Sequence, residues 1–167
     1  MSARRTIVTE PLTREAFAPF GDVLDTSGAA DFEINGGDAK RFHDRGHIDC
    51  LAPGRAGLST VFAVGQSLPY EMSMLERHPL GSQAFIPMQA EPWLVTVAPD
   101  EGGKPGMPRA FIAAPGQGVN YHRGTWHGVL TPLGTPARFA VVDWIGEGKN
   151  LEEYWLEAPK LVVSQPK

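Results

Sequence analysis

The sequence predicts a mainly β protein in which short strands close into a sandwich or small barrel. β-type runs recur roughly every ten to twelve residues, most of them followed by Gly, Pro, Asp or Asn. Fifteen prolines and nineteen glycines supply the many tight turns such a chain needs. Helical periodicity is scarce, which confines helix to a few short peripheral pieces.

The chain opens on a β-rich run, Thr6 to Thr9. Thr13 then offers an N-cap for a short helix that carries Phe17 and Phe20 and closes at Gly21. Strands follow near Phe32–Asn35, Lys40–His43, Leu58–Val64, Tyr70–Glu76, Gln83–Pro87, Trp93–Ala98, Arg109–Ala113, Gly128–Thr131 and Ala137–Ile145. Asp100 to Pro108, rich in Gly, Pro and charge, reads as the most exposed loop. Asn150 and Glu153 have capping-box spacing, so Leu151–Leu156 is drawn as a second helix, and the tail beyond Pro159 is expected to fray or dock on a neighbour.

Composition narrows the function. At 167 residues, 42% hydrophobic and 20% charged, the chain can bury a substantial core, and one domain spanning residues 1–167 is expected. A net charge of −4 without any Lys/Arg cluster removes the main attraction to nucleic acid or an anionic membrane, and both are excluded as partners. The longest apolar runs, Trp93–Ala98 and Phe139–Val142, are too short to cross a bilayer as helices, and Met1–Thr6 leads into no apolar signal core. A cytoplasmic protein is expected. Cys50 is the single cysteine, so no internal disulfide can form, and it reads as a small apolar side chain.

Two stretches carry polar groups that packing alone does not require. In the first, Glu76 and His78 stand two residues apart at the end of an alternating segment, so a strand would point both to one side, continuing the face of Tyr70, Met72 and Met74. Pro79 and Gly81 bend the chain, and Gln83 opens the next apolar run. Such a pair is also compatible with an ordinary contact at a strand end. In the second stretch, Gly118 to His127, glycines break both periodicities and leave a loop bearing Tyr121, His122, Arg123, Trp126 and His127. The two histidines cannot be assigned to one face by counting.

These two stretches resemble conserved motifs of the cupins. The first has the form Glu76-x-His78-x4-Gln83, and the second runs from Pro115-Gly116-Gln117-Gly118 to Trp126-His127. Within the cupins, Glu76 to Met88 and Gly118 to His127 are most similar to the ureidoglycolate lyases, with further likeness at Phe17 to Val23, Ile34 to Gly37 and Arg41 to Asp44. The resemblance covers nearly the whole chain. It implies a cupin-like double-stranded β-helix, that is, a small β-barrel or jelly roll.

The same resemblance implies a carbon–nitrogen lyase that cleaves (S)-ureidoglycolate to glyoxylate and urea in allantoin and purine catabolism. Glu76, His78, His122 and His127 are then the candidates for acid/base work, with His122 or His127 as base. Glu76, His78 and His127 are candidate ligands of a divalent metal, which family likeness alone suggests is nickel. Arg41, Arg123, Gln83 and Tyr121 are candidate substrate-binding residues, since a guanidinium holds a carboxylate through paired hydrogen bonds. Arg77 alternates away from Glu76 and His78. Gln83, a neutral amide where cupins usually offer a carboxylate, is a poor transition-metal ligand and can instead hydrogen-bond substrate. A homodimer is implied in the same way. Other cupin chemistry, such as sugar isomerisation or metal-dependent oxygenation, and a non-catalytic ligand-binding module are the alternatives.

Overall fold

The computed structural model describes residues 5–157 and 161–165. Strand β1 (Thr6–Pro11) leads into a single helical turn, α1 (Arg14–Phe17), whose first turn is capped by the Thr13 hydroxyl accepting from the Ala16 amide. The chain returns as β2 (Gly21–Leu24), a strand that the sequence reading leaves out. A small hairpin, β3 (Phe32–Ile34) with β4 (Ala39–Arg41), stands as its own two-stranded sheet.

From there the pattern is almost wholly β. The strands are β5 (Arg55–Ala63), β6 (Tyr70–Met72), β7 (Met74–Arg77), β8 (Gln83–Pro87) and β9 (Trp93–Ala98). They continue as β10 (Arg109–Ala113), β11 (Gly118–Tyr121), β12 (Trp126–His127) and β13 (Thr131–Pro132). The last are β14 (Ala137–Ile145), β15 (Glu152–Trp155) and β16 (Leu161–Ser164).

Two larger sheets result. One has the order β15-β7-β12-β9-β10-β1-β16-β6, with β13 also on β9, and the other has β2-β11-β8-β14-β5. In the first, β6 and β7 lie near opposite ends of the order although only Ser73 separates them in the chain. The sheet therefore curls round until its two ends meet, which makes the fold a cupin-like barrel rather than a flat sandwich.

The main core lies between the sheets. Trp93, Val95 and Val97 from β9 and Phe111 from β10 meet Phe85, Phe139, Val141, Val119 and Tyr121 from the other sheet, with Phe17 of α1 closing one side. Trp93 packs edge-on against Phe139 at 5.1 Å. Every residue of β9 is buried because its second face is also covered, Leu94 by Ala110 and Val163, and Ala98 by Trp126 and Met72. Loss of one fully buried ring from such a core costs about 3–5 kcal/mol.

Several local expectations change. Leu151–Leu156 is not a helix: Glu152–Trp155 pairs antiparallel with β7, and Tyr154 meets Trp126 edge-on at 6.3 Å. Asn150 caps no helix, because its side-chain oxygen accepts from the Leu80 amide and its carbonyl from His78. The single strand expected over Tyr70–Glu76 is split at Ser73, whose carbonyl accepts from the Leu156 amide. The stretch Gly118–His127 is not one loop but two short strands around a tight turn, with Gly124 at a φ of 79° that glycine alone adopts freely. The strand expected over Gly128–Thr131 begins only at Thr131. Of the tail, residues 158–160 and 166–167 lie outside the described residues, and the rest docks as β16, parallel to β1 and antiparallel to β6.

Candidate active site

The strand register brings the two polar stretches together. Glu76 on β7 is the direct cross-strand partner of His127 on β12, and on the other sheet Tyr121, Gln83 and Asp143 form one row across β11, β8 and β14. Directly opposed residues share a face, so each set presents its side chains together. Tyr121 joins the sets, its ring lying flat on His127 at 4.2 Å with 4° between the planes. His78, one residue past the end of β7, also stacks on His127, at 5.3 Å with 30° between the planes.

One ligand atom from each of Glu76, His78 and His127 lies within 4.8 Å of the other two. The His78 Nε2 is 3.8 Å from a Glu76 oxygen, a charge contact beyond hydrogen-bond length. Each imidazole spends its other nitrogen on a backbone carbonyl: His78 Nδ1 on Asn150 at 2.7 Å, and His127 Nδ1 on Gly128 at 3.0 Å. A carbonyl only accepts, so Nδ1 carries a proton in both rings and Nε2 presents a lone pair whenever the ring is neutral. Both Nε2 atoms are buried without a hydrogen-bond partner. Two imidazoles fixed by Nδ1–H on carbonyls, with bare Nε2 atoms beside a carboxylate, form a donor set that suits a divalent transition metal.

The electrostatics separate the three groups. Burial works against the Glu76 carboxylate, but His78 and the charge at His127 outweigh it and hold the carboxyl below its ordinary range. Burial also works against a charged His78, yet contact with Glu76 and the Asn150 carbonyl, with the charges of Glu76 and Asp143, raises it above the usual value. His127 is fully enclosed, and burial with the charge at His78 pushes it down to about 4. Near neutrality it is an uncharged lone-pair donor. Burial and the nearby Glu76 charge push the Tyr121 phenol up, so it keeps its proton.

Of the other expected residues, His122 and Arg41 sit elsewhere, and Arg123 lies on the turn between β11 and β12 that is tied to His78. Asn120, next to Tyr121, faces the opposite side of β11, and its amide donates to Asp22 and to the His47 carbonyl. His122 joins that outer cluster: its Nε2 is 3.2 Å from Asp22, and with Arg123, Phe20, Pro99 and Thr125 it lines a surface pocket. Arg123 donates through Nε to Asp49, while the next residue, Gly124, donates its amide to the His78 carbonyl and so holds this turn beside the histidine. Arg41 is exposed at the end of the β3–β4 hairpin, and its side chain makes no hydrogen bond or ion pair among the described residues. Arg77 is held in place, donating to Glu152 and Asp100 with its guanidinium 4.4 Å over Trp126. Cys50 is a free, half-buried thiol bridged by backbone to Gly81.

Two residues of the site escaped the sequence reading. Asp143 stands out in the sequence only as the one acidic residue inside an apolar strand, and Asn150 has the spacing of a helix cap that does not form.

Comparison with known proteins gives a single picture. The family model described as ureidoglycolate lyase matches residues 4–164. A protein of Chelativorans sp. (strain BNC1) named ureidoglycolate lyase is 53% identical over 157 residues, covering 93% of this chain and 94% of its own. One of the same name from Rhodobacter capsulatus is 54% identical over 93% of this chain and 97% of its own. A third, from Mesorhizobium japonicum, is 54% identical over 89% and 91%.

Proposed function

The chain belongs to the ureidoglycolate lyase family, and from that premise we propose that it cleaves (S)-ureidoglycolate to glyoxylate and urea at the Glu76–His78–His127 cluster. The observation that carries the assignment to this cluster is the pair of buried, bare Nε2 atoms beside an ionised carboxylate. Glu76, His78 and His127 would hold a divalent metal, and nickel is the family expectation. When bound, such an ion supplies positive charge to the substrate's hydroxyl and carboxylate oxygens, making the hydroxyl more acidic.

The hydroxyl and the ureido nitrogen stand on the same substrate carbon, so a single carboxylate can serve both. Glu76 takes the hydroxyl proton, the carbon–oxygen double bond forms, and the carbon–nitrogen pair leaves on nitrogen. Glu76 then returns the proton to that nitrogen, completing urea. Each well-placed proton transfer contributes roughly 10² to 10⁴ in rate. His127 and His78 would hold the ion together with Glu76, and Tyr121, keeping its proton, donates a hydrogen bond into the site.

Arg123 binds the substrate carboxylate. Its turn is tied to His78, and its Nε bond to Asp49 leaves the two terminal nitrogens available. Gln83 accepts from a substrate N–H. His122 receives no chemical step, since its Nε2 is directed at Asp22.

Purified protein given (S)-ureidoglycolate should release urea and glyoxylate in equal amounts without ammonia. Ammonia release would mean amide hydrolysis instead, and absence of turnover with added divalent metals would remove the assignment.

The product urea suits a place in allantoin breakdown, and the unpaired Cys50 suits the cytoplasm. No helix among the described residues is long and apolar enough to span a membrane. A homodimer fits the outer face of the five-stranded sheet, where the edge strand β5 exposes Leu58 and Phe62 on the same face as Ile86 of β8, two strands away. Laying this face on its own copy about a two-fold axis would cover these side chains. Replacing Leu58 and Phe62 together by Glu should give a monomer in sedimentation velocity; a monomeric parent protein would refute the dimer.

A further inference from the structure

We propose that Asp143 is a positioning residue that fixes which end of the Gln83 amide faces the substrate, and thereby selects ligands carrying a ureido N–H. This rests on the assignment of the reaction to the Glu76–His78–His127 cluster and adds a determinant of specificity to it.

A glutamine side chain offers two donors at one end and an acceptor at the other, and the two ends have nearly the same shape. Left alone, the amide can turn either way, so a lone Gln83 would read a donor or an acceptor on the ligand equally well. Asp143 breaks the symmetry. Gln83 and Asp143 are direct cross-strand partners on β8 and β14, and the Gln83 Nε2 donates to the Asp143 carboxylate at 3.2 Å. A carboxylate only accepts, so the amide nitrogen must be the end that meets it. The oxygen is thereby directed away from Asp143, and Oε1 is buried with no partner.

Gln83 is itself buried and shares its row with Tyr121, whose ring lies on His127, while the charge of Asp143 is felt at His78. The unpartnered oxygen therefore belongs to the reaction site. A buried acceptor without a donor is costly, and the cost is relieved when a ligand N–H arrives. The ureido group provides such N–H donors, whereas glyoxylate provides none. A site built around one fixed acceptor rejects a ligand that lacks the matching donor much more strongly than an apolar wall rejects a misfit.

The test is a binding measurement, independent of turnover. Oxalurate has a carbonyl where ureidoglycolate carries its hydroxyl, so it keeps the ureido and carboxylate groups but cannot undergo the elimination. Calorimetry on the metal-loaded protein compares oxalurate with glyoxylate. Asp143→Asn lets the Gln83 amide turn and should weaken oxalurate about tenfold or more, with glyoxylate affinity unchanged. Gln83→Met, which removes the acceptor and nearly keeps the volume, should cause the same selective loss. The double variant should lose no more than Gln83→Met alone, because Asp143 acts through Gln83.

Equal weakening of both ligands, oxalurate affinity untouched by Asp143→Asn, or additive losses in the double variant would each overturn the proposal. Failure of the parent protein to form urea while the selective binding pattern persists would instead remove the lyase assignment and leave the Asp143–Gln83 device standing.

Discussion

His122 and His127 lie five residues apart on one short segment, yet they occupy opposite environments. His127 is 1% exposed, stacked against Tyr121 and His78, with Nδ1 bound to a carbonyl and Nε2 bare. His122 is at the surface, with its Nε2 against Asp22. The β11 backbone makes the difference: Tyr121 faces the core, Asn120 and His122 face the outer cluster with Asp22, and the Gly124 turn reverses the chain so that His127 enters from the facing sheet. Residue type and proximity in sequence say little about chemistry, whereas enclosure and the partner on the second ring nitrogen say a great deal.

The largest expected effect tests the buried member. His127→Asn should lower kcat by about 10³-fold or more and weaken divalent-metal affinity by about 10-fold or more, measured by urea release and by metal titration of the apoprotein. Activity within a few-fold of the parent would erase the contrast between the two histidines. Glu76→Gln follows, with kcat reduced about 10²- to 10³-fold and Michaelis constant changed much less, since the amide cannot take the hydroxyl proton.

A pH series on the metal-free protein sharpens the same contrast. His127 is depressed to about 4 from an ordinary 6.5, so between those values the unfolded chain binds the proton that the folded chain refuses. Its contribution is therefore complete above 6.5 and is lost as pH falls toward 4, on the order of 3 kcal/mol in all. His78 works the other way: its raised value gives stability that is full below 6.5 and is lost as pH rises through the folded-state value. Denaturant unfolding with chelator present should show His127→Asn flattening the acid-side decline, and an unchanged slope would contradict the enclosed, neutral imidazole. The smallest effect belongs to His122→Asn, which should change kcat/KM by less than about threefold and stability by at most about 1 kcal/mol, as expected of an exposed ion pair.

Much of this was legible in the sequence because strand alternation is a short-range property. Glu76 and His78 were expected on one side, and the runs at Gln83, Trp93, Arg109 and Ala137 became strands β8, β9, β10 and β14. What escaped depended on partners distant along the chain. Asn150 and Glu153 have helix-cap spacing, but β7 offered an open edge and His78 an unpaired ring nitrogen, and pairing there satisfied more backbone than one helical turn could. The row Tyr121–Gln83–Asp143 exists only through register across three strands, so no local pattern could reveal that Asp143 faces Gln83. The separation of His122 from His127 turned on the Gly124 turn, whose glycine is visible in the sequence but whose direction is not.

The pairing of β1 with β16 has a consequence for how the barrel is made. These neighbours come from opposite extremities of the described residues, so β1 waits for the synthesis of nearly all the other described strands before one of its edges is covered. Its other neighbour, β10, is also distant, which leaves the opening segment without any early companion. Closure of the ring is then a late event, ruled by contacts of very high sequence separation, and slow folding with a transiently open seam follows from the topology itself.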